Sequence, residues 1–585
     1  MRGVLSPGFL LVLASGAVAQ STVRASLASA GGEADGASLR AWPDADGRRV
    51  AFDSDATNLV AGDTNGCTDV FVRELAAGRT VRASVDSAGA EGNGASSACV
   101  LSADGRWVAF QSLATSLVAG DTNLASDVFV HDLVLGTTLR ASVDANGIQG
   151  FGDSVAPALS ADGRCVAFAS RAQLVAADMN GNWDVYVRDL SSGTIVWASV
   201  GLGGAQPGGD STRPALSADG RWVAFESSAA ALVAGDTNQK LDVFVRDLAT
   251  GTTVRASVDS AGSQVFGDSR RPALSADGRC VGFESSAATL VAGDTNNAYD
   301  VFVRDLPLGT TARASVDSQG IEGGSFSGWT SLSADGRFVC FSSAWGGFDA
   351  NDTNLAWDVF LHDRASGATW LLSADAGGAP GNDHSQGGVL TPDARFATFA
   401  SAASNLDPND LNQTWDVFLR DRELASLAFC FGDATQATLC PCANVGANGR
   451  GCENSAASGG ARLAAYGTSV PDTLLLAVVG ELPSALSIFL QGDVELATPT
   501  PFGDGLRCVS GTLKRLYVEH AAAGATSAPN AGELAIRAQS ALLGDPIAPG
   551  STRVYQVYYR DPSASFCSAP QGNTWNVSNG VRVSW

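Results

Sequence analysis

The sequence predicts an all-β chain, a seven-bladed β-propeller followed by a disulfide-containing, β-sandwich-like domain. Three observations carry this. A unit of about 58 residues recurs seven times, which is the mark of a repeat architecture. The two ends of the repeat array supply complementary parts of one unit. Six of the eleven cysteines fall after the repeats stop.

Two markers fix the period. An Asp-containing turn places its aspartate at Asp46, Asp104, Asp162, Asp219, Asp277, Asp335 and Asp393. A second motif, Asp-Val-(Phe/Tyr)-(Val/Leu), starts at Asp69, Asp127, Asp184, Asp242, Asp300, Asp358 and Asp416. Each unit reads as four short strands, here called A to D. In the fourth unit, A is the run from Pro214 to Ser217, and an Asp-Gly turn follows, where glycine accepts the positive φ of a tight reversal. B is Trp222 to Phe225, C is Val243 to Asp247, and a Gly251-Thr252 turn leads into D, Val254 to Val258. Four antiparallel strands at this period make one propeller blade. The last unit lacks a D strand, but Thr22-Val23-Arg24-Ala25-Ser26-Leu27 matches Thr80-Val81-Arg82-Ala83-Ser84-Val85. The N-terminal strand is therefore expected to complete the last blade and close the ring, removing the open sheet edges that invite aggregation.

The chain divides into an export signal at 1–19, the propeller at 20–425 and a Cys-rich domain at 426–585. Arg2, the apolar run from Phe9 to Val18 and Ala17-Val18-Ala19 have the layout of a cleaved signal, so the mature protein is expected outside the cytoplasm, with no transmembrane segment. The composition, 45% hydrophobic and 17% charged, is that of a folded globular chain. From Cys430 onward, 11 acidic and 9 basic side chains leave the remaining −21 of the net −23 on residues 1–429. That acidity argues against nucleic acid and against anionic membrane surfaces as partners. Cys430, Cys440, Cys442, Cys452, Cys508 and Cys567 are expected to form three disulfides in an oxidising compartment, with zinc as the rival reading. Cys165, Cys280 and Cys340 lie in B strands and read as buried apolar residues, and Cys67 and Cys99 could pair, which the sequence does not decide.

The turn and strand Ser-Ala-Asp-Gly-Arg-Trp-Val-Ala-Phe, followed by Asp-Val-Phe-Val-Arg-Asp-Leu, resemble the WD40-like (PD40) repeats of the TolB family over roughly residues 20–422. The resemblance implies a periplasmic protein-docking platform. The block from Phe429-Cys430-Phe431-Gly432-Asp433 to Asn573-Thr574-Trp575-Asn576-Val577-Ser578-Asn579-Gly580 resembles a C-terminal module of secreted bacterial repeat proteins.

Catalytic chemistry is not expected. Gly152-Asp153-Ser154, Gly209-Asp210-Ser211 and Gly267-Asp268-Ser269 mimic a lipase-like motif, but Ser38, Ser96, Ser327 and Ser385 share the register, and a nucleophile is normally unique. The four histidines, His131, His362, His384 and His520, do not cluster. The recurring Asp-x-Asn-x-x-x-Asp before strand C is the candidate metal site: Asp63, Asn65, Asp69; Asp121, Asn123, Asp127; Asp236, Asn238, Asp242; and Asp294, Asn296, Asp300. Oxygens at alternate loop positions suit Ca²⁺, whereas Asx-turn capping without metal is the favoured alternative. Aromatic residues at Trp183, Tyr299, Trp357 and Trp415 are candidate ligand platforms, with packing between blades as the plainer explanation. Arg40, Arg213 and Arg271 share one register in strand A and form a basic spot suited to a carboxylate, with intramolecular Arg–Asp pairing as the favoured alternative. The expected function is an exported, monomeric binding or scaffold protein for a protein, peptide or glycan. The alternatives are a propeller hydrolase or lyase with a central-channel site, and a purely structural surface protein.

Overall fold

The computed structural model describes residues 21–29, 31–375, 378–422, 426–432, 438, 440–441, 444–447, 450–466, 474–530, 532–548, 551–561 and 575–585. The export signal expected at 1–19 lies outside these. The fold is all-β and contains a β-propeller. Residues 21–421 form seven four-stranded antiparallel sheets, each with strand order A-B-C-D. In the fourth unit the strands are Ser211–Leu216, Trp222–Ser227, Asp242–Asp247 and Thr252–Arg255. Strand A begins earlier than the apolar run indicates, because the chain pairs through a bulge between Thr212 and Ala215.

The last sheet is built from Ser385–Leu390, Phe396–Ser401 and Asp416–Asp421, with the N-terminal Ser21–Arg24 as its fourth strand. Ser21 pairs with Asp421 and Arg24 with Phe418 in antiparallel register. Strand A of each sheet lies against strand A of the next, and Ser385–Leu390 lies against Ser38–Pro43, so the sheets meet in a ring.

Neighbouring sheets are joined by packing and by main chain. A phenylalanine or tyrosine from strand B stacks on one from strand C in every sheet, as Phe225 does on Phe244 at 6.0 Å. Each A–B turn glycine presses on the first strand-B side chain of the sheet before. A Cβ at Gly163, where φ is 70°, would sit 2.3 Å from the Trp107 ring. Gly220 and Gly336 press on Cys165 and Cys280 in the same way. A belt of amide bonds runs between successive A–B turns: Ala45 N to Ala103 O, Ala103 to Ala161, Ala161 to Ala218, Ala218 to Ala276, Ala276 to Ala334 and Ala334 to Pro392, all 2.8–2.9 Å. The seventh donor position is Pro392, which has no N–H. That junction relies instead on the N-terminal strand and on Thr398, whose hydroxyl donates to Ala41 O at 3.2 Å.

Residues 426–585 form a five-stranded sheet ordered Ser426–Phe429, Trp575–Ser584, Thr552–Arg560, Leu486–Gly492, Lys514–His520. A three-stranded sheet and a hairpin, Val494–Phe502 with Gly505–Ser510, complete the strands. Their shared core includes Phe489, Tyr555, Tyr559 and Val581, all fully buried. Two disulfides are present, Cys430–Cys508 and Cys440–Cys452. Cys442 and Cys567, the remaining two of the six, lie outside the described residues. Cys67 and Cys99 are free thiols, which answers the pairing that the sequence left open.

This second region packs on the A–B turns of the propeller. Leu475 and Ala477 join Phe338, Leu390 and Ala394 in one apolar cluster. Ser527 donates to Asp335 Oδ2 at 3.0 Å, and Arg450 pairs with Asp46. In an antiparallel four-stranded sheet, A–B and C–D turns share one end, while B–C loops and D–A links share the other. The second region therefore covers part of one face of the ring, and among the described residues it does not reach the B–C face.

Candidate functional site

The candidate metal loops are built the same way in most sheets. In the first, Asn65 Nδ2 donates to Asp69 Oδ2 at 2.9 Å and to Gly92 O at 2.9 Å, and its Oδ1 accepts the Cys67 amide at 2.7 Å. Asp69 Oδ1 accepts the Ser84 hydroxyl at 2.5 Å. This is the Asx-turn geometry. The carboxylates are not without a cation, because an arginine from strand D stands between them. Arg82 reaches Asp69 at 3.4 Å, Asp63 at 3.7 Å and Glu91. Arg140 meets Asp121 and Asp127 at 3.1 and 3.2 Å, and Arg255 meets Asp236 and Asp242 at 3.1 and 3.2 Å. Arg313 meets Asp294 at 3.6 Å, Asp300 at 3.3 Å and Glu322. Arg24 of the N-terminal strand does the same for Asp410 and Asp416 at 3.4 and 3.3 Å, joined by Glu33.

Two sheets differ. Trp197 replaces the arginine in the third and donates its indole N–H to Asp184 at 2.8 Å. In the sixth, Leu371 stands at that register, and burial with no facing cation pushes Asp358 up to about 7. Sequence reasoning missed the acidic partner. Glu33, Glu91 and Glu322, with Gln149 and Gln264, repeat in phase with the loops and were legible as a third marker.

The three arginines lie in the central channel. Arg40, Arg213 and Arg271 are the bulge residues of their strands, at φ of 48°, 50° and 50°. The equivalent residues of the other sheets are Ala98, Ala156, Trp329 and Gly387, also at positive φ. All seven line one cavity of about 430 Å³, walled by Ala, Pro, Leu and Val of the A strands. Five of these bulge amides donate to the preceding sheet: Ala98 N to Asp53, Ala156 N to Gln111, Arg271 N to Glu226, Trp329 N to Glu284 and Gly387 N to Ser342, at 2.6–3.2 Å. The acidic acceptors sit behind the wall, where burial pushes Asp53 up to about 6. Arg40 lies 3.9 Å from Asp53, Arg213 lies 3.1 Å from Glu226, and Arg271 lies 3.2 Å from Glu284.

The structure brings two of the four predicted aromatic residues together. Trp357 packs against Trp329 at 5.2 Å and Phe326 at 5.4 Å, and Phe326 against Tyr299 at 5.6 Å. Arg270 lies over Tyr299 at 4.1 Å and Arg271 over Trp329 at 4.8 Å. Trp183 stands apart under Arg171, and Trp415 lies on the last sheet. All four are half-buried, which gives each a packing role. Phe326 and Trp329 were missed because they break the repeat: Phe326 takes the place of Asp153, Asp210 and Asp268.

The seven in-register serines are buried at the start of strand A. Each bonds the serine that ends strand B, as Ser211 does with Ser227 at 2.8 Å and Ser269 with Ser285 at 2.9 Å. His131 and His362 are buried against Thr138 and Thr369, and burial lowers His362 to about 4.

No protein-family description and no curated protein sequence matches the chain. Among solved structures it is similar to TolB from Acinetobacter baumannii, with 16% identity over 51% of this chain and 60% of that one, TM-score 0.30. It is similar to a prolyl endopeptidase, with 9% identity over 77% of this chain and 56% of that one, TM-score 0.41. An acylaminoacyl peptidase from Pyrococcus horikoshii matches at 12% identity over 66% of this chain and 51% of that one, TM-score 0.40. The chain thus spans 60% or less of each of these proteins.

Proposed function

We propose that the chain is an extracytoplasmic binding module, a seven-bladed propeller that docks a polypeptide partner on its B–C face. One observation carries this reading. Leu124, Phe151, Met179, Phe266, Leu355 and Leu411 all lie on B–C loops or D–A links and are 76–97% exposed. Scattered apolar residues are ordinary on a surface, and Val134, Leu135 and Leu308 of the C–D turns are 66–67% exposed, but among the described residues the six most exposed gather on the B–C face, and such a gathering marks an interaction site. The exposed groups are aliphatic or phenyl, whereas the planar indoles are half-buried, so a protein or peptide fits this face better than a glycan. The two disulfides agree with an oxidising compartment. A binding role rather than catalysis is supported by the paired serines and by the burial of His131 and His362, with His384 and His520 exposed and far apart in the chain. Among the described residues no helix is long and apolar enough to cross a membrane. A Cys-rich C-terminal module seated on the other face would leave the B–C face presented.

The test is photo-crosslinking in the parent cell from a reactive residue at Leu124 or Leu355, with Leu308 of a C–D turn as the control. A discrete polypeptide adduct from the first two positions and none from Leu308 is expected. Equal labelling from both faces would refute the reading.

A further inference from the structure

The seven bulge positions of strand A are structurally equivalent, so their backbone makes one demand of them all. Each has positive φ, which glycine meets without strain and larger side chains meet at a cost. Ala98, Ala156 and Gly387 meet it with small groups. Arg40, Arg213 and Arg271 do not; each stands against a strand-B carboxylate of its own sheet, Asp53, Glu226 or Glu284.

The three arginines are the charged side chains of the cavity lining; the other lining residues are apolar or uncharged. The carboxylates that face them lie in the layer behind and accept both from the arginines, as Glu226 Oε1 does from Arg213 Nη1 at 3.1 Å, and from amides of the next sheet. Asp53 accepts the Ala98 amide and Glu226 accepts the Arg271 amide. Arg40 and Arg213 remain accessible, with side chains 64% and 48% exposed, while Arg271 is 28% exposed and braced by Glu284 and Trp329. In ring order Arg213 and Arg271 are neighbours, and Arg40 stands three sheets from either. A cationic, water-accessible mouth with apolar walls, inside a chain of net charge −23, attracts an anion that also carries an apolar body. A volume near 430 Å³ is that of a small-molecule site.

We propose that Arg40, Arg213 and Arg271, with Trp329, form a carboxylate-binding site in the channel mouth for an organic polycarboxylate. The carboxylates come from a free small acid or from acidic side chains of a docked polypeptide. The site deepens the binding reading above and needs only that the B–C face be open. It involves no covalent step.

The experiment is calorimetry on the full chain with benzene-1,3,5-tricarboxylate, the matching neutral triamide, and an acetylated hexaglutamate peptide, at low and high salt. Binding of either anion, none of the triamide, and weakening by salt are expected. Arg40→Gly and Arg213→Gly should each weaken binding on the order of tenfold or more, the scale of one hydrogen bond to a charged group. Gly387 shows that glycine suits the backbone there; Arg213→Gly also leaves the buried Glu226 without its guanidinium and should melt lower, so Arg40→Gly, whose pairing with Asp53 is the looser at 3.9 Å, is the primary variant. Arg40→Ala, which gives the first sheet the residue that Ala98 supplies in the second, is another route to the same loss. Preference for the tricarboxylate identifies a free acid, and preference for the peptide identifies a partner's side chains. Failure of both anions to bind, or unchanged affinity in the arginine variants, overturns the proposal. Crosslinking from Leu124 and Leu355 is untouched by these substitutions, so loss of the anion site and loss of the docking reading are told apart.

Discussion

Replacing Arg313 by leucine should destabilise the propeller in a pH-dependent way, and the molecule contains its own control. The Arg313 side chain is 9% exposed and meets Asp300, which is fully buried, at 3.3 Å. Without it, Asp300 keeps the Ser315 hydroxyl at 2.6 Å and Asn296 Nδ2 at 2.9 Å. That is the situation of Asp358 in the sixth sheet. There Ser373 and Asn354 donate at 2.5 and 2.7 Å, Leu371 stands in place of the arginine, and burial pushes the carboxyl up to about 7. Breaking a buried ion pair while leaving its carboxylate behind costs about 3–5 kcal/mol, and the change strips Asp294 and Glu322 of the same guanidinium. A carboxyl raised from its ordinary value near 4 to about 7 carries a similar penalty, about 4 kcal/mol when ionised. The two routes agree, and the sum is a large share of a typical stability of about 5–15 kcal/mol. The sign follows from proton binding. A folded carboxyl with a raised pKa holds its proton where the unfolded chain has released it. The penalty is therefore absent below about pH 4, grows as pH rises, and is complete above about 7. Urea unfolding followed by tryptophan fluorescence should show a loss of about 3–5 kcal/mol at pH 8 and a markedly smaller one at pH 5. A loss under about 1 kcal/mol at pH 8, or the same loss at both pH values, would refute the view that Arg313 neutralises Asp300.

The same arrangement predicts that melting temperatures in EDTA and in millimolar Ca²⁺ at matched ionic strength coincide, since Arg24, Arg82, Arg140, Arg255 and Arg313 already supply the cation. A Ca²⁺-specific rise that falls in Asp236→Ala and Asp294→Ala would show that an ion displaces the guanidinium. Deleting residues 21–29 should lower the melting temperature of the whole propeller, because it bares the edge of Asp416–Asp421 and strips Arg24 from Asp410 and Asp416. A truncated chain melting within a degree or two of the parent would contradict closure by this strand. Reduction should loosen residues 426–585 selectively. The bridges span sequence separations of 78 and 12 residues and constrain the unfolded chain by about 4–5 and about 3 kcal/mol. Hydrogen exchange that accelerates equally in both regions would count against it.

The sequence alone determined what repeats and what is local. Two markers at one spacing implied the repeated four-stranded sheets, the Thr22–Leu27 match placed the closing strand, and seven serines in one register argued against a nucleophile. These features were legible because strand alternation and turn chemistry act over a few residues and recur with every unit. Only the tertiary structure decided what stands opposite what. The Asp-x-Asn-x-x-x-Asp loops looked like oxygen sets waiting for an ion. Their cation is a guanidinium from strand D, 13 residues after the strand-C aspartate, and Glu91 closes the group from 27 residues beyond Thr64. The channel ring needed the bulge that turns Arg40, Arg213 and Arg271 into one cavity, and the amides that occupy its hidden carboxylates come from 45 residues away. Phe326 and Trp329 were invisible for the opposite reason, since they depart from the pattern that made the rest readable. Periodicity reports the interactions a unit makes within itself. Charge neutralisation and cavity lining are made between units, where only the closed ring brings the partners within reach.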